Sequence, residues 1–340
     1  MSLVGGLIGA YRLRLKRQRY RVRAFRKSRE FTPTANRTSR IRPADILLFS
    51  TVRNEKIRLP HFLDYYRRIG VNHFLFVDNG STDGTAAFLA EQPDVSLWST
   101  KASYKRARYG ADWMNWLLRR HGHGHWCLTL DPDEFLVYPF CDSRPLRALT
   151  DWLDASAIRA FPSMLIDMYP RGRIDAELYH EGDNPFDIAA WFDSGNYSYK
   201  QNPVFGELWI QGGPRARVLF ADAPERAPAL NKIPLVRWQR GYTYVSSTHM
   251  LLPRGLNRVY AVNGGEKASG CLLHAKFLST FHEKAEEELV RRQHYAASHE
   301  YQVYARSVRD NPDFWCSWSE KYINWRQLEI LGLMSKGNWA

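Results

Sequence analysis

Residues 46–85, ILLFSTVRNEKIRLPHFLDYYRRIGVNHFLFVDNGSTDGT, set the pattern from which the rest of the chain is read. ILLFSTV (46–52) is an unbroken apolar run of strand length, the pattern of a strand buried on both faces. Over 57–69, Leu59, Phe62, Leu63, Tyr66 and Ile69 recur at the spacing of one helix face. HFLFVDN (73–79) is a second strand, and a further helix opens between Thr82 and Leu89. Strand, helix, strand, helix in this order predicts parallel strands joined by crossover helices.

Downstream, VSLW (95–98) reads as a short strand, 108–120 as an amphipathic helix, and HWCLTLDPDEFLV (125–137) as a strand running into carboxylates. The expected fold class is α/β, a mostly parallel sheet flanked by helices, with ligands outside the carboxyl ends of the strands. Beyond residue 155 the periodicity loosens. Shorter strands are expected at 157–162, 214–220, 233–238 and 242–247, and a longer helix over about 280–308. This second half, 141–340, is read as continuing one domain that spans 43–340 and begins with the half 43–140.

The net charge of +13 has a location. Residues 1–42 hold 13 Lys and Arg against the single acid Glu30, whereas 43–340 hold 35 bases and 34 acids. A nearly neutral body argues against nucleic acid as a specific partner. The segment 1–42 is read as a separate basic arm with two readings open: a disordered tail, and, through residues 1–30, a peripheral contact with anionic membrane. A targeting presequence is a third. The apolar run MSLVGGLIGA (1–10) is half of the roughly 20 residues a spanning helix needs. Cys127, Cys141, Cys271 and Cys316 stand far apart without CxxC spacing, which points to a reducing compartment and away from structural zinc. The expected location is cytoplasmic, including the cytoplasmic face of a membrane. The 12 Trp and 18 Tyr suit walls for planar or sugar-ring ligands, although core packing accounts for most of them.

Asp131-Pro132-Asp133-Glu134 follows directly on the apolar run WCLTL. Three adjacent carboxylates repel one another and persist most easily around a cation, and hard oxygen ligands suit Mg or Mn. The competing reading is an acidic turn in which Pro132 stops the strand; the place at a strand end favours metal. Asp78 and Asn79 open a Gly-rich loop that allows close backbone approach to a ligand, and Asp78 suits a ribose hydroxyl or base edge. The same loop is also a turn with Thr82 or Asp83 as a helix cap. Arg53, Asn54 and Glu55 present polar groups after the first strand. Three such loops at successive strand ends define one candidate ligand edge.

The order VRNE, VDNGSTDGT, DPDEF resembles the nucleotide-sugar-binding half of GT-A glycosyltransferases, specifically glycosyltransferase family 2. The form NEKIRLPHFLDYYRRIGVNHFLFVDNGSTDGT is similar to the family-2-like bacterial proteins that also resemble family 92. The resemblance covers roughly 45–140. It implies that Asp78 contacts the nucleoside and that Asp131 and Asp133 form a DxD motif holding Mn or Mg and the diphosphate, with Glu134 orienting it. Beyond 140, GGPRARVLF (212–220), NKIPLVRW (231–238), SSTHMLL (246–252) and LLHAKFLSTFHEK (272–284) look like later blocks of the same subgroup. The resemblance further implies a late histidine as third metal ligand, His274 before His249. Each histidine taken alone reads more readily as a backbone-bonded or cleft-lining side chain than as a ligand. Arg215, Arg217 and Lys232 suit diphosphate oxygens, as they would suit an ordinary basic surface.

The implied activity is inverting transfer of a sugar from a nucleotide-sugar, with a lean towards a uridine carrier, to a glycan or other acceptor hydroxyl, as in cell-surface polysaccharide synthesis. Inversion requires a carboxylate as general base on the acceptor side; Glu207, Asp193 and Asp187 are the candidates. The ED and QxxRW patterns of processive polymerases do not stand out, and their membrane spans are lacking, so single or few transfers are expected rather than polymer extrusion. Two other classes stay open: a nucleotidyltransferase, which would release pyrophosphate, and a non-catalytic binder of membrane or polyanion through the basic arm.

Overall fold

The computed structural model describes residues 3–261, 266–291 and 312–340. Its strands are β1 (Thr32–Ala35), β2 (Ile46–Val52), β3 (His73–Asp78), β4 (Val95–Ser99), β5 (Trp126–Thr129), β6 (Glu134–Val137), β7 (Ala160–Asp167) and β8 (Trp191–Asp193). They continue with β9 (Tyr197–Gln201), β10 (Leu208–Gly212), β11 (Asn231–Arg237), β12 (Thr243–Ser246), β13 (Met250–Leu252), β14 (Gly270–His274) and β15 (Ser319–Lys321). Nine of them form one sheet in the order β1-β4-β3-β2-β5-β11-β7-β14-β6. The block β4-β3-β2-β5 is parallel throughout, and β11 enters antiparallel between β5 and β7. Since β14 runs parallel to β7, the carboxyl ends of β2, β3, β4, β5, β7 and β14 all lie on one edge. The antiparallel strands β6 and β11 begin at that same edge. Strands from both halves of the chain therefore share one mixed α/β sheet.

Side chains alternate between two cores, as the two-residue period of a strand requires. Ile46, Leu48, Phe74, Phe76, Val95 and Leu97 pack on one face, under helices α2 (Leu59–Ile69) and α5 (Leu146–Ala155). Leu47, Phe49, Leu75 and Val77 pack on the other, under Trp113, Leu117 and Leu118 of α4 (Ala111–His121). A smaller helix, α3 (Thr85–Glu91), buries Leu89 against the first core. Helix α2 carries Pro60 in its first turn and stops at Gly70, whose φ of 106° is the left-handed cap conformation.

The segment 1–42 is not set apart from the sheet as the sequence suggested. Residues Leu3–Lys27 form helix α1, which lies along α4, and β1 pairs antiparallel with β4, Thr32 opposite Ser99. The physical reason is the open edge of β4, whose backbone groups need partners and find them in β1. Arg37 adds hydrogen bonds to the carbonyls of Val95 and Ala90 at 3.0 and 2.8 Å. The expected strand at 214–220 is instead a wide helical turn, Arg215–Leu219. Gly212 (φ 141°) starts it at a point where a Cβ would lie 2.2 Å from the Asn196 carbonyl, so the backbone turns there as only glycine permits. Of the helix expected over 280–308, α7 (Phe281–Arg291) is present and the remainder lies outside the described residues. The short α6 (Pro185–Ile188) and α8 (Trp325–Ile330) complete the helices used below. No described helix is long and apolar enough to cross a membrane.

Candidate functional site

Topology delivers the chemistry to the shared strand edge. Asp131 follows β5, Asp133 precedes β6, Glu134 opens β6, Asp167 closes β7, Lys232 is second in β11 and His274 closes β14. The Ala275 amide donates to the Asp133 carbonyl at 2.8 Å and fixes β14 against the acidic turn. One ligand atom from each of Asp133, Glu134 and His274 lies within 4.8 Å of the others.

At the centre His274 stands between two carboxylates. Its Nδ1 is 2.7 Å from Asp167 Oδ1 and its Nε2 is 3.2 Å from Asp133 Oδ2. Arg215 Nε donates to Asp167 Oδ2 at 2.7 Å; burial would raise this carboxyl's pKa, but Arg215 and His274 outweigh it and hold it below the ordinary value. An ionised Asp167 only accepts, so Nδ1 must be the donor. In the neutral ring Nε2 then carries a lone pair aimed at Asp133, a second acceptor. That contact is favourable only with a proton on Nε2 or a cation between the groups. Burial would lower the His274 pKa, yet the facing Asp133 and Asp167 raise it. Asp133 is held well below the usual carboxylate range despite burial by His274, Lys276 and Arg58.

The donor set fits a divalent cation. Cis ligands of an octahedral ion with bonds of about 2.1 Å lie about 3 Å apart, close to the 3.2 Å between Asp133 Oδ2 and His274 Nε2. The Asp167–His274 bond is the outer carboxylate that commonly orients a ligating imidazole. Glu134 is differently occupied. Its carboxylate pairs with the Lys232 ammonium and accepts the Asp131 amide at 3.3 Å, while burial lifts its pKa to about 7 against the pull of Lys232. Asp131 pairs with Lys232 at 3.3 Å and leaves half of its side chain exposed.

Beside Asp131 lies a small pocket whose wall includes Ser50, Thr51, Thr129 and Thr248. Among the described residues the buried hydroxyls of Ser50, Thr51 and Thr248 have no hydrogen-bond partner, and that of Thr129 has at most the Tyr244 hydroxyl. Unsatisfied buried hydroxyls call for a polar occupant. An adjoining open cleft of about 480 Å³ is lined by Arg53, Asn79, Gly80, Lys101, Tyr104 and Arg291. Helix α7 crosses the strand-end loops there: Glu287 accepts from Arg53 at 2.8 Å and from Asn54 at 3.1 Å, and Lys284 pairs with Glu55.

Several expected site residues stand elsewhere. Asp78 is buried, and its carboxylate accepts the Gly80 and Ser81 amides at 3.2 and 3.3 Å, so it shapes its own loop rather than lining the cleft. Asn79 does line the cleft, while its amide nitrogen holds the Thr100 and Ala102 carbonyls. Arg217 and Asp193 pair with each other at 2.9 Å, joined by the Tyr169 hydroxyl at 2.5 Å from Asp193. A fully buried carboxylate needs such a counter-charge, which removes Asp193 as a base and Arg217 as a diphosphate ligand. Asp187 is exposed in α6 and bonded to Asn184 at 2.9 Å. His249 is bonded through Nδ1 to the Asn231 carbonyl at 2.6 Å, and burial lowers its pKa to about 4. No hydrogen bond or ion pair among the described residues joins Glu207, Asp193 or Asp187 to Asp133 or His274.

Glu207 is 2% exposed, neither carboxylate oxygen makes a well-formed hydrogen bond among the described residues, and burial raises its pKa against weaker pulls from its own backbone and Asn202. A raised folded-state pKa adds stability that is full below the ordinary carboxylate value and is lost as pH rises. Glu207→Gln is therefore expected to stabilise the fold by about 1–3 kcal/mol at pH 7 and by close to nothing near pH 4. Urea midpoints of the two proteins at both pH values check this; equal midpoints at pH 7 would refute it.

Sequence reasoning missed Asp167, Arg58 and the four hydroxyls. Asp167 had a signal, a carboxylate closing the apolar run AFPSMLID just as Asp78 closes HFLFVD. Arg58 had none, being one more basic residue in a helix lead-in; it is 3% exposed and pairs with Glu55 at 3.1 Å. No protein-family model matches the sequence, and no curated protein matches it.

Proposed function

We propose that the chain is a metal-dependent glycosyltransferase of the GT-A type. It takes a nucleotide-sugar donor, a uridine diphosphate carrier first among those to try, and passes the sugar with inversion to an acceptor hydroxyl. The observation that carries this reading is the Asp133–His274–Asp167 array at the carboxyl edge of the sheet, adjoining a cleft whose lining includes Arg53, Lys101 and Arg291. Mn or Mg bound by Asp133 and His274 would offset negative charge developing on a departing diphosphate.

The chain's own groups divide the remaining work. Asp167 and Arg215 hold the His274 ring with Nε2 facing Asp133. Lys232 offsets the charge of Asp131 and Glu134, so that the acidic turn stays compact. Ser50, Thr51, Thr129 and Thr248 supply hydrogen-bonding positions for the hydroxyls of a ribose or sugar ring next to Asp131.

The test is thermal unfolding of the purified chain with Mn and a panel of nucleoside diphosphates and nucleotide-sugars. One nucleotide is expected to raise the melting temperature only when Mn is present, by the equivalent of about 2.7 kcal/mol at a hundred times its Kd. Absence of any Mn-dependent nucleotide shift would overturn the reading. Pyrophosphate release from a nucleoside triphosphate would replace it with nucleotidyl transfer.

A further inference from the structure

Helix α1 is amphipathic in the wrong sense for a helix that only packs on its own domain. Its inner face is largely polar. Tyr20 lies under the Arg108 guanidinium at 3.6 Å, Lys16 sits over the Phe205 ring at 4.8 Å, and Arg23 pairs with Asp112 at 3.0 Å. Among the described side chains Leu13 and Ala24 bring apolar groups to that side, and Phe25, half exposed, touches the Trp116 ring of α4 edge-on at 5.6 Å. The outward face carries the large apolar residues: Ile8, Tyr11, Leu15, Val22 and Phe25 are 50, 61, 45, 49 and 54% exposed.

Their spacing of three, four, seven and three residues keeps all five on one stripe, because seven residues make almost two helical turns. Along its side, at the same seven-residue interval, run the exposed Arg12, Arg19 and Arg26. A stripe of this kind has no reason to face water on a helix whose inner face is already anchored.

We propose that α1 is a membrane-docking element that lays its apolar stripe into the headgroup region of an anionic bilayer. The occupant follows from charge and shape together. Large apolar groups flanked by a row of guanidinium groups match acyl chains beneath phosphates. Nucleic acid would use the arginines and leave the apolar stripe in water. A second copy docked stripe to stripe would bring two such arginine rows together, a like-charge contact that disfavours self-association. The pairings of Arg23 with Asp112 and Arg108 with Tyr20 fasten the helix to the domain, so docking carries the whole sheet to the surface. Helix α4, on which α1 lies, supplies Ala111 and Met114 to the pocket beside Asp131, which brings that pocket to the membrane as well. The proposal stands independently of glycosyl transfer.

Co-sedimentation of the full chain with vesicles tests it, using phosphatidylcholine alone and phosphatidylcholine containing phosphatidylglycerol. The chain is expected to pellet with the anionic vesicles only and to be released by high salt. Arg12→Gln/Arg19→Gln/Arg26→Gln should lower the partition coefficient roughly a hundredfold. Leu15→Asp/Val22→Asp should lower it at least about tenfold. All five positions are exposed, so unchanged melting temperatures separate lost docking from lost folding. The proposal fails if the wild type binds neither vesicle, if the Leu15/Val22 variant binds as well as wild type, or if light scattering shows a stable dimer that this variant dissociates.

Discussion

If the proposed function holds, Asp133→Asn is expected to lose the Mn-dependent response and sugar transfer while leaving the chain folded. The carboxylate is ionised, 3.2 Å from His274 Nε2, and held well below the usual range by His274, Lys276 and Arg58. Asparagine keeps the shape and the backbone carbonyl that anchors Ala275, but it removes the one anionic partner that Nε2 has among the described residues. A hard divalent cation depends on charged oxygen ligands. Mn affinity should therefore fall on the order of a hundredfold or more, beyond what loss of an outer-shell group costs. Calorimetric titration with Mn reads the effect directly, with Asp151→Asn, an exposed carboxylate 3.8 Å from Arg147, as the control. Mn binding by Asp133→Asn within about threefold of wild type would mean that the array is a protonated His274 between two carboxylates and holds no metal.

The parts of this centre that were legible in the sequence are those fixed locally. The apolar runs 46–52 and 73–78 are strands because both of their faces are covered, and the covering residues Phe62, Leu63 and Tyr66 recur at helix spacing. Asp131 and Asp133 sit at a strand end, and a reader of the chain can see that strand end. His274 was picked through a family resemblance, and its neighbourhood follows from β14 running parallel to β7, a pairing between residues more than a hundred positions apart. Nothing local announces such a pairing. The same blindness explains Asp78, whose carboxylate closes onto the amides of Gly80 and Ser81. A carboxylate after a strand looks the same in sequence whether it faces a ligand or its own turn. Arg217 and Asp193 show the reverse failure. Each has the charge expected of a site residue, and each is consumed by a buried pairing that only the tertiary arrangement creates. Helix α1 was read as a basic arm because its charge dominates the composition. Which of its faces points outward depends on α4, and α4 is some ninety residues away.

Arg215→Met carries the largest expected cost to stability. Asp167 is fully buried and accepts from Arg215 at 2.7 Å and from His274 at 2.7 Å. Its pKa lies below the ordinary value although burial pushes the other way, so the carboxylate is ionised at neutral pH because Arg215 and His274 hold it so. Methionine fills much of the arginine volume but leaves a buried anion with His274 as its one remaining partner among the described residues, and removing one side of a buried pair costs about 3–5 kcal/mol. The same change weakens the grip on the His274 ring, so metal affinity should fall as well, by about tenfold to a hundredfold. Asp167→Asn added to Arg215→Met is expected to recover most of the stability, because a neutral amide needs no counter-charge and its oxygen still accepts the His274 Nδ1 proton. Recovery of metal affinity should be smaller, since Asn makes the imidazole a weaker ligand than Asp does. Urea unfolding of the three proteins separates these effects: a loss below about 1 kcal/mol in Arg215→Met, or no recovery in the double variant, would mean that Arg215 does not stabilise Asp167 as its counter-ion.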